Sequence, residues 1–303
     1  MIEFLPSILI YLATFRPYNW ALFVTFPLMC LGPLSLASKG QPYTTNTLSS
    51  AGLAIVGLYL ILIATFMLND FSDRLIDEVA HPERPIPSGK VKAQHIGYAA
   101  FLFYAAALIV SFLINKWVLL VSVLILAISF FHFRYTKRLL RITGSSEIIT
   151  PFTWASMPVY CFFAVGNHDR VSIFLLCLFI YFADVAHDVM GGACDVEGDK
   201  LGNVTTFASV LEKTRVVSIS LASFVLSGIA GVSLYFLAGT GYVYLIGILI
   251  SISVLLFAYF STLQNSGKPD FMRHVARNHS FLGIYFVAGY SLIFLDTLVT
   301  RYL

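Results

Sequence analysis

Asn69, Asp70, Asp73 and Asp77 lie in the stretch LNDFSDRLIDEVAHPERPIPSGK at the end of an apolar segment, and a second acidic run, DVEGDK from Asp195 to Lys200, ends another. On a helix, Asn69, Asp73 and Asp77 stand at i, i+4 and i+8 and stack along one face, with Asp70 about a hundred degrees round from Asn69. Mg²⁺ takes hard oxygen ligands, keeps waters, and is usually held by one or two carboxylates together with substrate phosphate oxygens. An Asn among Asp residues suits that role because it adds an oxygen without adding repulsion. Two such clusters at two exits from apolar segments point to Mg²⁺-dependent chemistry on a diphosphate. The plain alternative makes these acids loop residues paired with Arg74, Arg84 and Lys90. It weakens for the set, since an acid near a membrane core costs about 2.5–3.5 kcal/mol and tends to mark function.

In the second cluster Asp195 and Asp199 again stand at i, i+4, and Glu197 points elsewhere if the segment is helical. Gly198 and Gly202 argue against a regular helix there. Upstream, Asp184 and Asp188 form another i, i+4 pair, separated from the first by Gly191 and Gly192. Either pair could face the first cluster. The position near the expected membrane exit favours Asp195 and Asp199 as metal ligands, which leaves Asp184 and Asp188 as supporting or acceptor-side groups or as structural partners of His187.

Basic partners for a diphosphate are at hand. The run FHFRYTKRLLR crowds Arg134, Lys137, Arg138 and Arg141 around Tyr135, and Arg and Lys contact phosphate oxygens through charge and directed donors. Anchoring at the membrane surface accounts for most of these four. Lys137 and Arg138, with Tyr135 beside them, Arg74 next to the first ladder and Arg16 in RPYNW are the expected substrate contacts, along with Asn69 and Asp188. Asp73, Asp199, Arg74 and Lys137 are expected to act most directly on the reacting group.

The elements that must position these residues are set by composition. Of 303 residues 58% are hydrophobic and 12% charged, with a mean hydropathy of +0.82, far from the balance of soluble globular domains. Windows long enough to cross a ~30 Å hydrocarbon core, which takes roughly 20 apolar residues as a helix, fall at about 20–37, 49–69, 94–114, 117–133, 146–165, 172–190, 216–237, 241–263 and 279–300. The runs are continuous rather than alternating every second residue, so helices are expected and a barrel is not. The expectation is an all-α integral membrane bundle of about nine transmembrane helices around a central cavity.

Orientation follows from the Lys and Arg residues of the connecting segments. With the N-terminus in the cytoplasm, 15 of the 19 Lys and Arg residues fall on the cytoplasmic side and only Lys39, Lys116, Arg170 and Arg301 fall outside. The positive-inside rule then gives a cytoplasmic N-terminus, an external C-terminus and both acidic clusters on the cytoplasmic face. In a prokaryote this is a multi-pass protein of the cell membrane. The first residues, MIEFLPSILIYLATFRPYNW, have no basic n-region and no small-residue cleavage site, and read as an interfacial or re-entrant helix. Cys30, Cys161, Cys177 and Cys194 form no C-x-x-C and no metal-site spacing. A net charge of +3, tied to the loops, argues against nucleic acid as a partner.

The segments after spans two and six are long and carry most of the acids, whereas others are as short as Asn115–Lys116. This suggests a doubled architecture, spans two to five and six to nine, each half beginning with a helix that ends in carboxylates. No low-complexity linker divides the chain, so residues 1–303 are expected to form one domain. Pro82, Pro85 and Pro87 in HPERPIPSGK should end the helix and stiffen an ordered cap over the cytoplasmic mouth.

Taken together, N-D-x-x-D-x-x-x-D followed by R-P-I-P-S-G, YTKR after span four, and D-V-E-G-D-K-x-G near span six resemble the UbiA superfamily of intramembrane prenyltransferases. The similarity runs from RPYNW to the ninth span. It implies a nine-helix all-α fold with two Asp-rich motifs opposed across a central cavity under a cytoplasmic cap, binding an isoprenyl diphosphate donor through Mg²⁺. The matching positions are Asn69, Asp70, Asp73 and Asp77 in the first motif and Asp195 and Asp199 in the second. Members that alkylate geranylgeranylglyceryl phosphate often show Arg-Glu where this chain has His187-Asp188, and Asn203 stands where Lys, Arg or Ile is often found.

The chemistry implied is ionisation of an allylic C–O bond, with Mg²⁺ and basic residues stabilising the departing diphosphate and a lipophilic acceptor capturing the carbocation. Acceptor classes are a quinone-type aromatic ring, an ether-lipid glycerol phosphate or, as in chlorophyll synthases, a porphyrin-derived acid. The 27 Phe and 16 Tyr are spread through every span, so the rings lining a cavity cannot be singled out. A divalent-cation transporter is the competing class, but it favours acids along a continuous pore. A soluble chain-elongating prenyl diphosphate synthase carries D-D-x-x-D, which is absent, and a non-catalytic scaffold leaves the paired clusters unexplained.

Overall fold

The computed structural model describes residues 4–14, 19–40, 44–136, 140–201 and 204–302. Their regular elements are helices, with no strand among the described residues: α1 (Phe4–Thr14), α2 (Asn19–Ala37), α3 (Thr45–Ala80), α4 (Ala93–Ile114), α5 (Lys116–Phe131), α6 (Ser145–Ala155), α7 (Met157–Ala164), α8 (Arg170–Cys194), α9 (Val196–Leu201), α10 (Phe207–Val210), α11 (Lys213–Leu237), α12 (Tyr242–Gln264) and α13 (Phe271–Tyr302). Among the described residues, six helices are long and apolar enough to cross a membrane: Thr45–Leu75 within α3, α4, α8, α11, α12 and Phe271–Thr300 within α13. Large apolar side chains point outward from them, including Phe257 at 74% exposure, Phe236 at 71% and Phe112 at 68%. A surface of that kind is stable only against lipid.

Helix ends follow local chemistry. Thr44 caps α3 by accepting from the Thr47 N–H, Asn115 caps α5 through the N–H groups of Trp117 and Val118, and Asp169 caps α8, each an oxygen supplied to otherwise unpaired donors. The window at 146–165 reads as one apolar run, but the chain breaks there into α6 and α7 at Ser156. Pro158 has no N–H to continue the ladder and its ring crowds the carbonyl four residues back.

Within the bundle, α3 packs along α4 and α8 along α11, while α13 packs on α2, α8 and α12. Each long acid-ended helix is thus followed by a polar segment and then by a helix that returns along it. Since lipid tails are as apolar as Leu, the helices are joined by close packing and by interhelical hydrogen bonds worth about 0.6 kcal/mol each on average. These include Ser111 to Tyr160 at 2.9 Å, Ser220 to Tyr259 at 2.6 Å, Thr65 to Tyr104 at 2.8 Å and the Ser227 hydroxyl donating to the Phe179 carbonyl at 2.8 Å. At Gly32 the α2 and α13 backbones come so close that a Cβ would sit 2.5 Å from the Tyr290 carbonyl oxygen, so only glycine fits.

Candidate active site

The first acidic ladder belongs to α3, which continues unbroken through it. Asp70, Asp73 and Asp77 are buried and Asn69 is half-buried. The helix ends at Ala80, before Pro82, and the segment that follows folds into successive turns, with Ser88 N–H bonded to the Arg84 carbonyl and Val91 N–H to the Pro85 carbonyl. That fold returns Arg84 to the ladder, where its Nη1 donates to Asp77 Oδ1 at 2.8 Å. Asp77 Oδ2 is buried without a hydrogen-bond partner. Asp70 turns toward α1, where the Tyr11 hydroxyl donates to its Oδ2 at 2.7 Å. Arg74 lies along its own helix: Nη1 donates to the Phe71 carbonyl at 2.7 Å and the guanidinium sits 4.8 Å over the Phe71 ring.

The second acidic run is helical from Val196 despite Gly198. Asp195 closes α8, and the Asp199 N–H bonds to the Asp195 carbonyl at 3.0 Å as α9 continues. Asp195 is exposed and Asp199 half-buried. Helix α9 packs against α3, so the segments bearing the two acidic runs, some 120 residues apart in sequence, adjoin.

Glu147 is a candidate site residue that the motif reading missed. It is 2% exposed, its Oε1 accepts from the Phe207 N–H at 2.8 Å, its Oε2 has no partner, and it shares an electrostatic environment with Asp188 and Asp199. The Gly144 N–H also bonds to the Thr205 carbonyl at 3.0 Å, and the Val204 N–H to the Asp199 carbonyl at 2.9 Å. The start of α6 therefore holds the chain that follows α9. The signal was present in the sequence, as a lone acid inside an otherwise apolar window. Tyr11, the partner of Asp70, carried no such signal.

A cavity of about 190 Å³ opens between α2, α3, α5, α6 and α7, lined by Phe26, Leu62, Phe66, Phe133 and Trp154 among others, with Asn69 the ladder residue in its wall. The lining is apolar apart from a few hydroxyls, Asn69 and His132. His132 and Phe133 belong to a π-helical turn, His132–Thr136, in which His132 Nδ1 pairs with the Thr136 hydroxyl at 2.7 Å. The cavity takes these two residues of FHFRYTKRLLR and not Tyr135, which is 40% exposed and stacks on Phe131 at 5.3 Å. Lys137, Arg138, Arg16 and Asn203 lie outside the described residues.

The donor set at the end of α3 and in α9 is wholly oxygen, the preference of a hard cation. The orphaned Asp77 Oδ2 supplies a lone pair that no protein donor uses, and buried carboxylates crowded on one helix face need positive charge. The residues present fit Mg²⁺.

Helices that expose apolar side chains outward and enclose polar groups within define a multi-pass membrane protein. Residues 11–282 match the UbiA prenyltransferase family, and the chain belongs to that family. A digeranylgeranylglyceryl phosphate synthase of Methanothermobacter thermautotrophicus is 27% identical over 222 residues, 73% of this chain and 77% of that protein. Among solved structures, a digeranylgeranylglyceryl phosphate synthase superposes with a TM-score of 0.72 at 19% identity, covering 97% of this chain and 99% of that one. A UbiA homolog from Archaeoglobus fulgidus bound to DMAPP and Mg²⁺ superposes with a TM-score of 0.67 at 13% identity, covering 93% and 98%. The last two likenesses concern the fold.

Proposed function

We propose that the protein transfers an isoprenyl group from a prenyl diphosphate to a lipophilic acceptor within the membrane, with Mg²⁺ as cofactor. The observation that carries this reading is the packing of α3 on α9, which sets two acidic runs side by side, with Asn69 of the first in the wall of an apolar cavity. An amphiphile with a diphosphate head and a hydrocarbon tail matches both parts. Asn69, Asp73, Asp77 and Asp199 hold the cation, with Asp70 and Asp195 at the margins of the set. Arg16, Lys137 and Arg138 meet the diphosphate, and Asp188 faces the acceptor. When bound, Mg²⁺ neutralises charge on the departing diphosphate.

The chain's own groups do the rest. Phe66, Phe133 and Trp154 keep water from the allylic carbon and offer ring faces to positive charge developing there. The homolog bound to DMAPP and Mg²⁺ supports the donor class. The relatives named as digeranylgeranylglyceryl phosphate synthases favour an ether-lipid glycerol phosphate as acceptor over a quinone-type ring. The nine apolar windows correspond to α2, α3, α4, α5, α6 with α7, α8, α11, α12 and α13. We read them as nine crossings of one domain with a cytoplasmic N-terminus, on the strength of the Lys and Arg asymmetry.

Calorimetry with geranyl and geranylgeranyl thiolodiphosphate, non-ionising donor analogues, tests the reading. Tight binding with Mg²⁺ and none with EDTA is expected; no binding under either condition returns the protein to the transporter class. The cavity makes a second forecast. Leu62→Trp places an indole in the proposed tail pocket and should lower turnover with a geranylgeranyl donor relative to a dimethylallyl donor by at least about tenfold, since overfilling a packed apolar site costs roughly 1–3 kcal/mol. Parallel assays with the two donors read the ratio, and an unchanged ratio removes the cavity from the donor path.

A further inference from the structure

Helix α8 carries a polar cluster that the diphosphate site does not use. Asp184, His187 and Asp188 stand at i, i+3 and i+4, so one turn presents all three side chains to one side, and a ligand atom from each lies within 4.8 Å of the other two. Asp184 is only 7% exposed, and its Oδ2 has no hydrogen-bond partner. His187 Nδ1 is 3.4 Å from Asp188 Oδ1, too long for a strong hydrogen bond. Among the described residues, the one basic group in ion-pair range of either carboxylate is His187, which reaches Asp188.

The facing helix leaves room for the cluster. His279 of α13 lies against His187 with ring centroids 4.1 Å apart. Gly191 eases this approach, since a Cβ there would fall 3.1 Å from His279 Nε2.

We propose that Asp184, His187 and Asp188 form a binding site for a borderline divalent metal ion, Mn²⁺, Fe²⁺ or Zn²⁺, separate from the carboxylates at the end of α3 and in α9. Two carboxylates crowded on a single buried turn repel each other, and one of them keeps an unused oxygen. A divalent ion among them satisfies that oxygen and cancels the repulsion. The imidazole sets the selectivity, because nitrogen ligands suit first-row transition ions and an all-oxygen set suits Mg²⁺. An acid and a His at i, i+3 on a bundle helix is a spacing already used by carboxylate-bridged metal sites in helical bundles. His279 closes the nitrogen side, where its ring restricts the orientation of His187.

The test uses full-length, tag-free protein in detergent, stripped with EDTA and titrated with Co²⁺ alone, so it does not depend on the prenyl-transfer reading. One equivalent of Co²⁺ should bind with a visible d–d band that excess Mg²⁺ leaves in place and Zn²⁺ removes. The near-isosteric Asp184→Asn and His187→Gln variants should lose the band while eluting as the wild type does. The Asp73→Asn/Asp199→Asn double variant should keep it. Wild-type protein that takes up no Co²⁺ beyond what Mg²⁺ displaces overturns the proposal without recourse to any variant. So does a band that survives both α8 substitutions, or one that disappears in the double variant.

Discussion

Asp73→Ala and Asp199→Ala each lose turnover by a factor of roughly 10²–10³ or more, the scale seen when one preorganised electrostatic contact to a reacting group is deleted. Asp73 is the middle rung of the α3 ladder, buried between Asn69 above and Asp77 below. Asp199 is the half-buried acid of α9, the helix that packs on α3. Removing either takes away an anionic oxygen where a cation and a diphosphate would be held together. Neither change should unfold the protein, because each deletes a carboxylate from a crowded acidic region and so relieves repulsion. Single-turnover product formation reads the chemistry, and thermal unfolding with Mg²⁺ and diphosphate reads the binding. Both variants should unfold near the wild-type temperature in EDTA but gain nothing from Mg²⁺ with diphosphate. Asp195→Ala should be milder, since Asp195 is exposed. Normal activity in both Asp73→Ala and Asp199→Ala would contradict the metal assignment.

Glu147→Ala is expected to lower kcat by about a hundredfold and to lower stability by about 1–3 kcal/mol, the usual cost of orphaning a buried donor. The donor is the Phe207 N–H at the start of α10, which Glu147 Oε1 accepts at 2.8 Å. With that bond gone, the hydrogen bond left, among the described residues, between the start of α6 and the chain from Asp199 to Phe207 is the backbone one from Gly144 to Thr205. The position of Asp199 then loosens, and a misplacement of about 1 Å at a reacting group is enough for a loss of this size. Glu147→Gln retains an acceptor oxygen and should recover most of the activity. A role in holding the loop therefore predicts rescue by Gln, whereas a role for the negative charge itself predicts Gln as damaging as Ala. Turnover and unfolding measured side by side on the two variants separate these outcomes.

Composition carried most of the helical architecture, because a lipid-solvated helix must be apolar over its whole length and that pattern is visible without tertiary information. Breaks within helices were harder to read. Pro151 and Pro158 both sit in the 146–165 window, yet only the second coincides with a break, since a membrane helix tolerates Pro wherever neighbours re-satisfy the freed carbonyl. At the site, the spacing of Asn69, Asp73 and Asp77 was legible because a helical face is a local property. Asp70 turning to Tyr11 and Arg74 folding back on Phe71 were not, and Arg84 reaching Asp77 stood only as part of the plain alternative, with no single acid chosen. Tyr11 arrives from 59 residues away, while the other two turn on the path taken by a long side chain or by the Pro-rich segment after the helix. The places of His132 and Phe133 in the cavity wall were not legible for a related reason. The π-helical turn shifts side-chain directions there, and no residue type in FHFRYT signals it.

Helix α3 runs 36 residues without interruption from Thr45 to Ala80, about 54 Å at 1.5 Å per residue, against a hydrocarbon slab of about 30 Å. Its lipid-crossing part and its carboxylates are one rigid rod, with no loop to absorb a change in height. On the proposed reading, the depth of the diphosphate pocket is therefore geared to the thickness of the bilayer. A thicker membrane draws the carboxylates toward the lipid boundary, and a thinner one lifts them clear or tilts the rod. Acyl-chain length in the host membrane would then act as a physical regulator of catalysis, and an enzyme that builds lipid would be tuned by the lipid around it.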